Sequence, residues 1–384
     1  MSGFSMTLPE GANYILDKLV DACFSAYVVG GCVRDALMGK APSDFDICTS
    51  ASPDEMKKVF AGERLIETGL QHGTLMVLHG GVPYEITTFR VDGDYADHRR
   101  PDSVTFVRSL REDQARRDFT VNAMAYNPRE GLQDAFDGQK DIEKKIIRAV
   151  GDPTKRFSED ALRILRALRF ASVCGFTVEE ETACAARRLK DSLSYVAKER
   201  ITTEFAKLVC GQSAEEIISR FPDILSVILP KISLDTKGLN RLPRDFPIRL
   251  TYLLKHNKEL EKVFELLRLS REQEAIVKEL WSNREEKEPA TKIEARKLLC
   301  RMGDERTKQL AAMLFWNMEI IDRVLENNDC RSIRQLAVAG KDMLDLGIEG
   351  KKVGETLSRL LNLVMEDKVP NEKEALLEKI RSTL

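Results

Sequence analysis

A glycine pair followed by two closely spaced aspartates is the first chemical signature along this chain. Gly30-Gly31-Cys32-Val33-Arg34-Asp35 precedes Asp44-Phe45-Asp46. A strand-like run ends at the glycines and a helical stretch begins with them. Without Cβ atoms, Gly30 and Gly31 let backbone N–H groups come close to phosphate oxygens. Arg34 adds a forked donor for the same oxygens. Asp44 and Asp46 alternate, so on a strand both project from one face. Two such carboxylates are hard oxygen ligands for Mg²⁺ and leave positions open for phosphates. Metal held there activates an attacking hydroxyl and stabilises a leaving pyrophosphate. Alone, Asp-x-Asp is commonly surface decoration and Gly-Gly commonly a turn; their order and short spacing make the pair far more specific.

Three further groups extend the site. Glu85 lies among apolar strand positions in Tyr84-Glu85-Ile86-Thr87-Thr88-Phe89-Arg90. It is a third carboxylate if its strand pairs beside the aspartates, and a solvent-facing edge residue otherwise. In Arg116-Arg117-Asp118-Phe119-Thr120-Val121-Asn122-Ala123-Met124-Ala125, Arg117 suits phosphate, while Asp118 and Asn122 suit ribose hydroxyls. The bland alternative is a salt-bridged helix start. In Glu159-Asp160-Ala161-Leu162-Arg163-Ile164-Leu165-Arg166-Ala167-Leu168-Arg169, a continuous helix makes Asp160 and Arg163 neighbours, with Arg166 and Arg169 continuing the row. Residues 144–169 hold eight basic side chains against three acidic ones. That suggests a phosphate-facing surface, against the alternative of a solvated face of ion pairs.

These residues need a scaffold. Strand-like runs at 26–29, 45–48, 75–78, 84–89 and 104–107, with helical patterns at 12–23 and 53–60, predict an α/β domain with a small mixed sheet. From residue 158 onward the pattern is almost wholly helical. Ala161, Leu165, Leu168 and Ser172 fall on one helical face. Similar stripes recur at 214–221, 246–254, 259–267, 272–281 and 311–325. Composition breaks near 234–247 and 284–292. An α/β head followed by three all-α segments in an elongated array is expected.

The chain has 384 residues, a net charge of −2, and no stretch approaching the ~18 apolar residues of a membrane span. Its N-terminus lacks the pattern of a signal peptide. Eight scattered cysteines form no C-x-x-C pair, which argues against structural zinc and for buried, reduced thiols. A cytoplasmic protein with no membrane partner is expected.

Taken together, the motifs resemble those of the class II, bacterial-type tRNA nucleotidyltransferases, the CCA-adding enzymes, and their relatives the bacterial poly(A) polymerases. The resemblance is ordered from Tyr27 to about Leu208, includes Lys198-Glu199-Arg200-Ile201-Thr202-Thr203-Glu204-Phe205, and returns at Leu346-Gly347-Ile348-Glu349-Gly350-Lys351-Lys352-Val353-Gly354. It implies a polymerase-β-like nucleotidyltransferase head at 1–148, a helical neck at 149–210 that selects nucleotides, and a body at 211–310 and tail at 311–384 that bind tRNA. Asp44 and Asp46 match the Mg²⁺-binding catalytic carboxylates. Gly30, Gly31, Arg34 and Arg117 match nucleotide-binding positions, with Asn122 beside them. Asp118 matches the ribose-sensing aspartate. Asp160 and Arg163 match the pair that selects CTP or ATP, and Arg166 and Arg169 further nucleotide contacts. Arg200, Lys341 and Lys351 are candidate tRNA contacts.

Within the family, Glu67-Thr68-Gly69-Leu70-Gln71-His72-Gly73-Thr74 is similar to the CCA-adding version. Asp92-Gly93-Asp94-Tyr95-Ala96-Asp97-His98-Arg99-Arg100-Pro101 resembles the loop that switches from C to A. The alternatives are a poly(A) polymerase, an A-adding or CC-adding specialist, or a catalytically silent RNA-binding protein. Only four histidines occur, His72, His79, His98 and His256, and no His-Asp dipeptide, so no appended phosphohydrolase is expected. The implied substrates are CTP, ATP and the tRNA 3′ end, for a monomer or homodimer.

Overall fold

A computed structural model describes residues 4–42, 44–93 and 104–382. The chain divides into two compact units. The first comprises Met1–Ile232, Thr236–Asn240 and Glu261–Leu269, and the second Ser233–Asp235, Arg241–Leu260 and Ser270–Leu384.

The first unit opens with α1 (Glu10–Asp21), which buries Ala12, Ile15, Leu16 and Leu19 along one face. Strands β1 (Ala26–Val29), β2 (Asp46–Thr49), β3 (Arg64–Gly69), β4 (Thr74–His79), β5 (Val82–Thr88), β8 (Ala125–Asn127) and β9 (Gly131–Gln133) form one sheet in the order β3-β4-β5-β2-β1-β8-β9. All neighbours are antiparallel except β2 and β5. Strands β6 (Arg90–Asp92) and β7 (Val104–Phe106) form a separate pair. Helix α2 (Gly31–Leu37) follows β1, and α3 (Pro53–Val59) follows β2. A capping box between Ser52 and Glu55, with Pro53 in the first turn, starts α3. Gly80 and Gly81, at φ of 59° and 80°, make the two-residue turn of the β4–β5 hairpin.

Alternation splits the sheet's apolar residues between two cores. Val28, Ile47, Leu75 and Ile86 pack with α1 to α3 on one side, while Tyr27, Val29, Cys48 and Phe89 pack on the other. The expected mixed sheet is therefore present, and larger than the sequence suggested, but the strand expected at 104–107 lies outside it, in the separate β6–β7 pair. The sheet's added strands β3, β8 and β9 are short or polar. Asp44 lies before β2 rather than within it, so strand alternation does not orient both aspartates.

Next come α4 (Leu110–Ala115), α5 (Gly138–Lys144), α6 (Pro153–Glu159), α7 (Leu162–Cys174), α8 (Glu180–Leu189) and α9 (Lys198–Val209). The expected buried stripe on α7 is present, with Ala161, Leu165, Leu168 and Ser172 all inaccessible to solvent. The continuous helix through Asp160 is not. Asp160 has extended backbone, φ −138° and ψ 104°, and separates α6 from α7.

The second unit is built of helices. Leu336, Met343, Leu360 and Leu376 centre one core, and Ala295, Leu299, Ala311 and Ile321 another. The stripe at 311–325 is two helices, Asp304–Leu314 and Glu319–Glu326, broken where Phe315 turns left-handed at φ 58°. The cysteines also depart from expectation: Cys23, Cys184 and Cys300 are exposed. No helix among the described residues is long and apolar enough to cross a membrane. The expected C-to-A loop falls, beyond Gly93, outside the described residues.

Candidate active site

The site begins where β1 ends. Gly30 adopts φ 78°, ψ −127°, a region open essentially to glycine. Its amide donates to Met124 O at 3.3 Å, tying the turn to the segment before β8. Asp46 opens β2 directly opposite Val29, so it stands beside this turn. Asp44 lies two residues upstream, and both aspartates are solvent-exposed. Protein nevertheless surrounds Asp46 closely enough to act on its charge. Burial raises its carboxyl above the usual range and Asp44 raises it further, with Arg117 opposing both.

Parallel pairing of β2 with β5 matches Ile47 with Ile86, which sets Glu85 alongside Asp46 on the opposite face from those isoleucines. This meets the condition on which Glu85 enters the site. Its carboxyl is raised by burial and then by Asp46, against Arg90. Among the described residues, no three His, Cys, Asp or Glu groups converge into a metal-holding cluster. The candidate donors are the exposed pair Asp44 and Asp46, with Glu85 adding negative charge beside them. Hard, mutually repelling carboxylate oxygens fit a divalent cation that relieves their repulsion.

Arg117 reaches the glycine turn. Its Nη1 lies 3.6 Å from the position a Cβ on Gly30 would take. It is held there by Asp113, which accepts from Arg117 Nη2 at 3.0 Å and from Arg116 Nη2 at 2.7 Å. Asp113 is almost wholly buried. Burial works to raise its carboxyl, but Arg117 and Arg116 outweigh it and the net direction is down.

A second set of side chains runs from α2 to α9. Arg34 Nε and Nη2 donate to Asp35, and Arg34 Nη1 donates to Asn122 Oδ1 at 2.7 Å. Asn122 Nδ2 donates to Asp118 Oδ1 at 3.3 Å. Asp118 Oδ2 accepts from Arg166 Nη2 at 2.5 Å and from Nε at 2.9 Å. Arg166 Nη1 lies 3.6 Å from Glu204, whose other oxygen is 2.6 Å from Arg169 Nε. That last contact is one of charge without hydrogen-bond alignment. Burial pushes the Asp118 carboxyl up, and Arg166 more than reverses it. Phe170 supports the three arginines: its ring centre is 3.5 Å from Arg169 Cζ, 5.2 Å from Arg34 Cζ and 5.3 Å from Arg166 Cζ.

Asp160 and Arg163 come close through the backbone but hold different side-chain partners. Asp160 Oδ1 accepts from Leu162 N at 3.0 Å and Oδ2 from Arg200 Nη2 at 2.9 Å. Arg163 donates to Glu159 Oε2 at 2.7 Å and to the carbonyls of Arg116 and Arg156.

The basic stretch is less exposed in charge than its composition suggests. Arg148, Arg156, Arg163, Arg166 and Arg169 all face carboxylates, several of them from outside the stretch. Lys144, Lys145 and Lys155 remain on the surface. Lys341 and Lys351 are also exposed. His72 stands in a short turn where its carbonyl accepts from Arg90 Nη1 at 2.6 Å; His98 lies outside the described residues. Sequence reading missed Asp113, Phe170 and Glu204 as site residues. Asp113 stands one helical turn before Arg117, and Glu204 one turn after Arg200, so spacing carried some signal.

The family model of the Poly A polymerase head domain matches residues 26–148. That of an RNA- and SrmB-binding site of polymerase A matches 175–232, and that of tRNA nucleotidyltransferase domain 2 matches 248–380. The CCA-adding enzyme of Pediococcus pentosaceus is 36% identical over 97% of both chains. That of Leuconostoc mesenteroides is 53% identical over 53% of this chain and 51% of its own. The crystal structure of the Bacillus stearothermophilus CCA-adding enzyme in complex with CTP superposes with a TM-score of 0.80 at 31% identity, covering 98% of this chain and 99% of that one. Identity spread over nearly the whole of both chains, on a site whose glycine turn, paired aspartates and arginines are all in place, means that the chain belongs to the CCA-adding enzymes, a family of tRNA nucleotidyltransferases.

Proposed function

We propose that this protein adds C, C and A in turn to the 3′ end of tRNA, using CTP and ATP and releasing pyrophosphate. The observation that carries this reading is the full-length likeness to CCA-adding enzymes together with an intact Asp44/Asp46 pair beside the Gly30 turn. Asp44 and Asp46 hold Mg²⁺, which when bound favours ionisation of the tRNA 3′ hydroxyl and offsets charge on the departing pyrophosphate. Glu85 deepens the negative potential beside them. Gly30 and Gly31 give the triphosphate close access to backbone, and Arg34 and Arg117 bind its oxygens. Asp118 and Asn122 address the ribose, and Arg166 and Arg169 hold the same wall of the pocket. Such a site works mainly by positioning and charge stabilisation.

Asp160 and Arg163 select the base. Cytosine and adenine both present an exocyclic amino donor next to a ring-nitrogen acceptor. Asp160 accepts from the first and Arg163 donates to the second. Guanine and uracil present a carbonyl and a ring N–H there, so both polar groups would lose their partners, which is costly in a desolvated pocket. In this reading, 1–148 is the catalytic head, 149–210 the selecting neck, and 211–310 and 311–384 the body and tail that grip tRNA by shape. The protein works in the cytoplasm, where its substrates are.

The test is an incorporation assay with Mg²⁺ and tRNA lacking its 3′ CCA. Two C residues from CTP alone, and one further A once ATP is present, are expected. A long ladder of A would identify a poly(A) polymerase. Arrest at CC, or A added only to tRNA already ending in CC, would identify a specialist. No incorporation with tRNA binding intact would overturn the enzymatic reading.

A further inference from the structure

We infer that Arg200, on α9, is the positioning residue that aims Asp160 at the base, and so determines nucleotide specificity without touching the nucleotide. The inference rests on the proposed CCA addition. Asp160 sits in the extended break between α6 and α7, where helical backbone does not constrain its side chain. Two contacts supply the constraint. Leu162 N, at the start of α7, holds Oδ1, and Arg200 Nη2 holds Oδ2. Each carboxylate oxygen retains a further lone pair, so Asp160 is oriented without losing its capacity to accept.

Arg200 is well placed for this task. Helix α9 is anchored by the buried side chains of Ile201, Phe205 and Leu208, and Ser172 Oγ on α7 donates to Leu208 O at 2.7 Å. One turn beyond Arg200, Glu204 meets Arg166 and Arg169. A single rigid helix therefore holds the base-selecting aspartate with one residue and the arginines of the ribose wall with another. Arg200 Nη1 is buried without a hydrogen-bond partner, and the guanidinium's ion pair is with Asp160, through Nη2 at 2.9 Å.

The experiment compares full-length wild type with Arg200→Ala, Arg200→Lys, Asp160→Ala and the double variant Asp160→Ala/Arg200→Ala. It measures kcat/KM for CTP and for UTP on tRNA lacking CCA, and tRNA affinity by filter binding. Arg200→Ala is expected to cut CTP-over-UTP discrimination about tenfold or more, with tRNA affinity within about twofold of wild type. Arg200→Lys should fall between, because it keeps the charge but replaces a planar donor with a flexible ammonium that fixes Asp160 less firmly. In the Asp160→Ala background, loss of Arg200 should change discrimination no further. Full discrimination in Arg200→Ala, weakened tRNA binding with discrimination intact, or additive losses in the double variant would each overturn the inference. Should Arg200→Ala not fold, unchanged discrimination in folded Arg200→Lys would overturn it as well. Absence of CTP incorporation by wild type would instead overturn the proposed activity.

Discussion

The amide of Arg163 donates to the carbonyl of Asp160 at 2.9 Å, yet the two side chains turn to different partners, Glu159 for one and Arg200 for the other. Glu159 also takes Arg156 through its second oxygen, at 2.6 Å. Glu159→Gln therefore weakens two charge-assisted bonds at once, each worth about 1.5–3 kcal/mol. We expect a lower unfolding midpoint and a rise in KM for both CTP and ATP of about tenfold. Urea unfolding and steady-state kinetics on the same preparation check both.

The aspartate pair should separate activity from stability. Asp44 and Asp46 are exposed and belong to neither apolar core. Asp44→Asn or Asp46→Asn should change stability by no more than about 0.5 kcal/mol. Either should reduce incorporation by at least about 100-fold. Chelation of divalent cations should abolish wild-type incorporation and added Mg²⁺ restore it, followed on a sequencing gel.

The two glycines should respond unequally. Gly30 has positive φ, whereas Gly31 is the first residue of α2 and a Cβ there would lie 3.7 Å from Arg34 Nη2, an ordinary contact. Gly30→Ala should cost about 1–3 kcal/mol through backbone strain, and most of the activity with it. Gly31→Ala should be tolerated in stability. Thermal melts of the two variants, side by side, test the contrast.

Asp113 and Asp118 should both contribute to the acid response. Both carboxyls are held below the unfolded value by arginines. Their stabilisation is complete above the unfolded aspartate pKa of about 3.9, and drains away as pH falls through the lower folded values. Asp113→Asn leaves Arg116 and Arg117 without their shared counter-ion, so we expect about 3–5 kcal/mol of destabilisation near neutrality. The variant should also lose less further stability on acidification than wild type. Urea titrations between pH 7 and pH 3 measure both.

Phe170 carries three guanidiniums on and around its ring and meets Phe119 edge-on at 5.7 Å. Phe170→Ala should cost about 3–5 kcal/mol. Phe170→Leu, which restores volume but not the ring's electron-rich face, should cost less than about 1.5 kcal/mol while still raising KM for nucleotide.

What was legible in the sequence was local. The turn after β1, the aspartates before and at the start of β2, and the buried stripe of α7 are each set by residues a few positions apart. The site's second layer was not legible, because its partners are distant along the chain: Arg166 meets Asp118 at a separation of 48 residues and Arg200 meets Asp160 at 40. Periodicity also hides single-residue interruptions. A helical pattern runs through 159–169 although Asp160 leaves the helix. Glu85 illustrates a third limit, since only the parallel crossover that seats β5 beside β2 decides which neighbour it has.

From Asp35 to Arg169, three carboxylates and three guanidiniums alternate along one wall, joined through Asn122. Seen from a distance, such a wall is nearly blank: its fields cancel within a few ångströms, so it does little to draw an anion out of bulk water. On the proposed function, a nucleotide would gain hold of it only on arrival, by trading places with partners already in position. Recognition there would be an exchange rather than an attraction, and dissolved salt would have less purchase on it than on an exposed patch of charge.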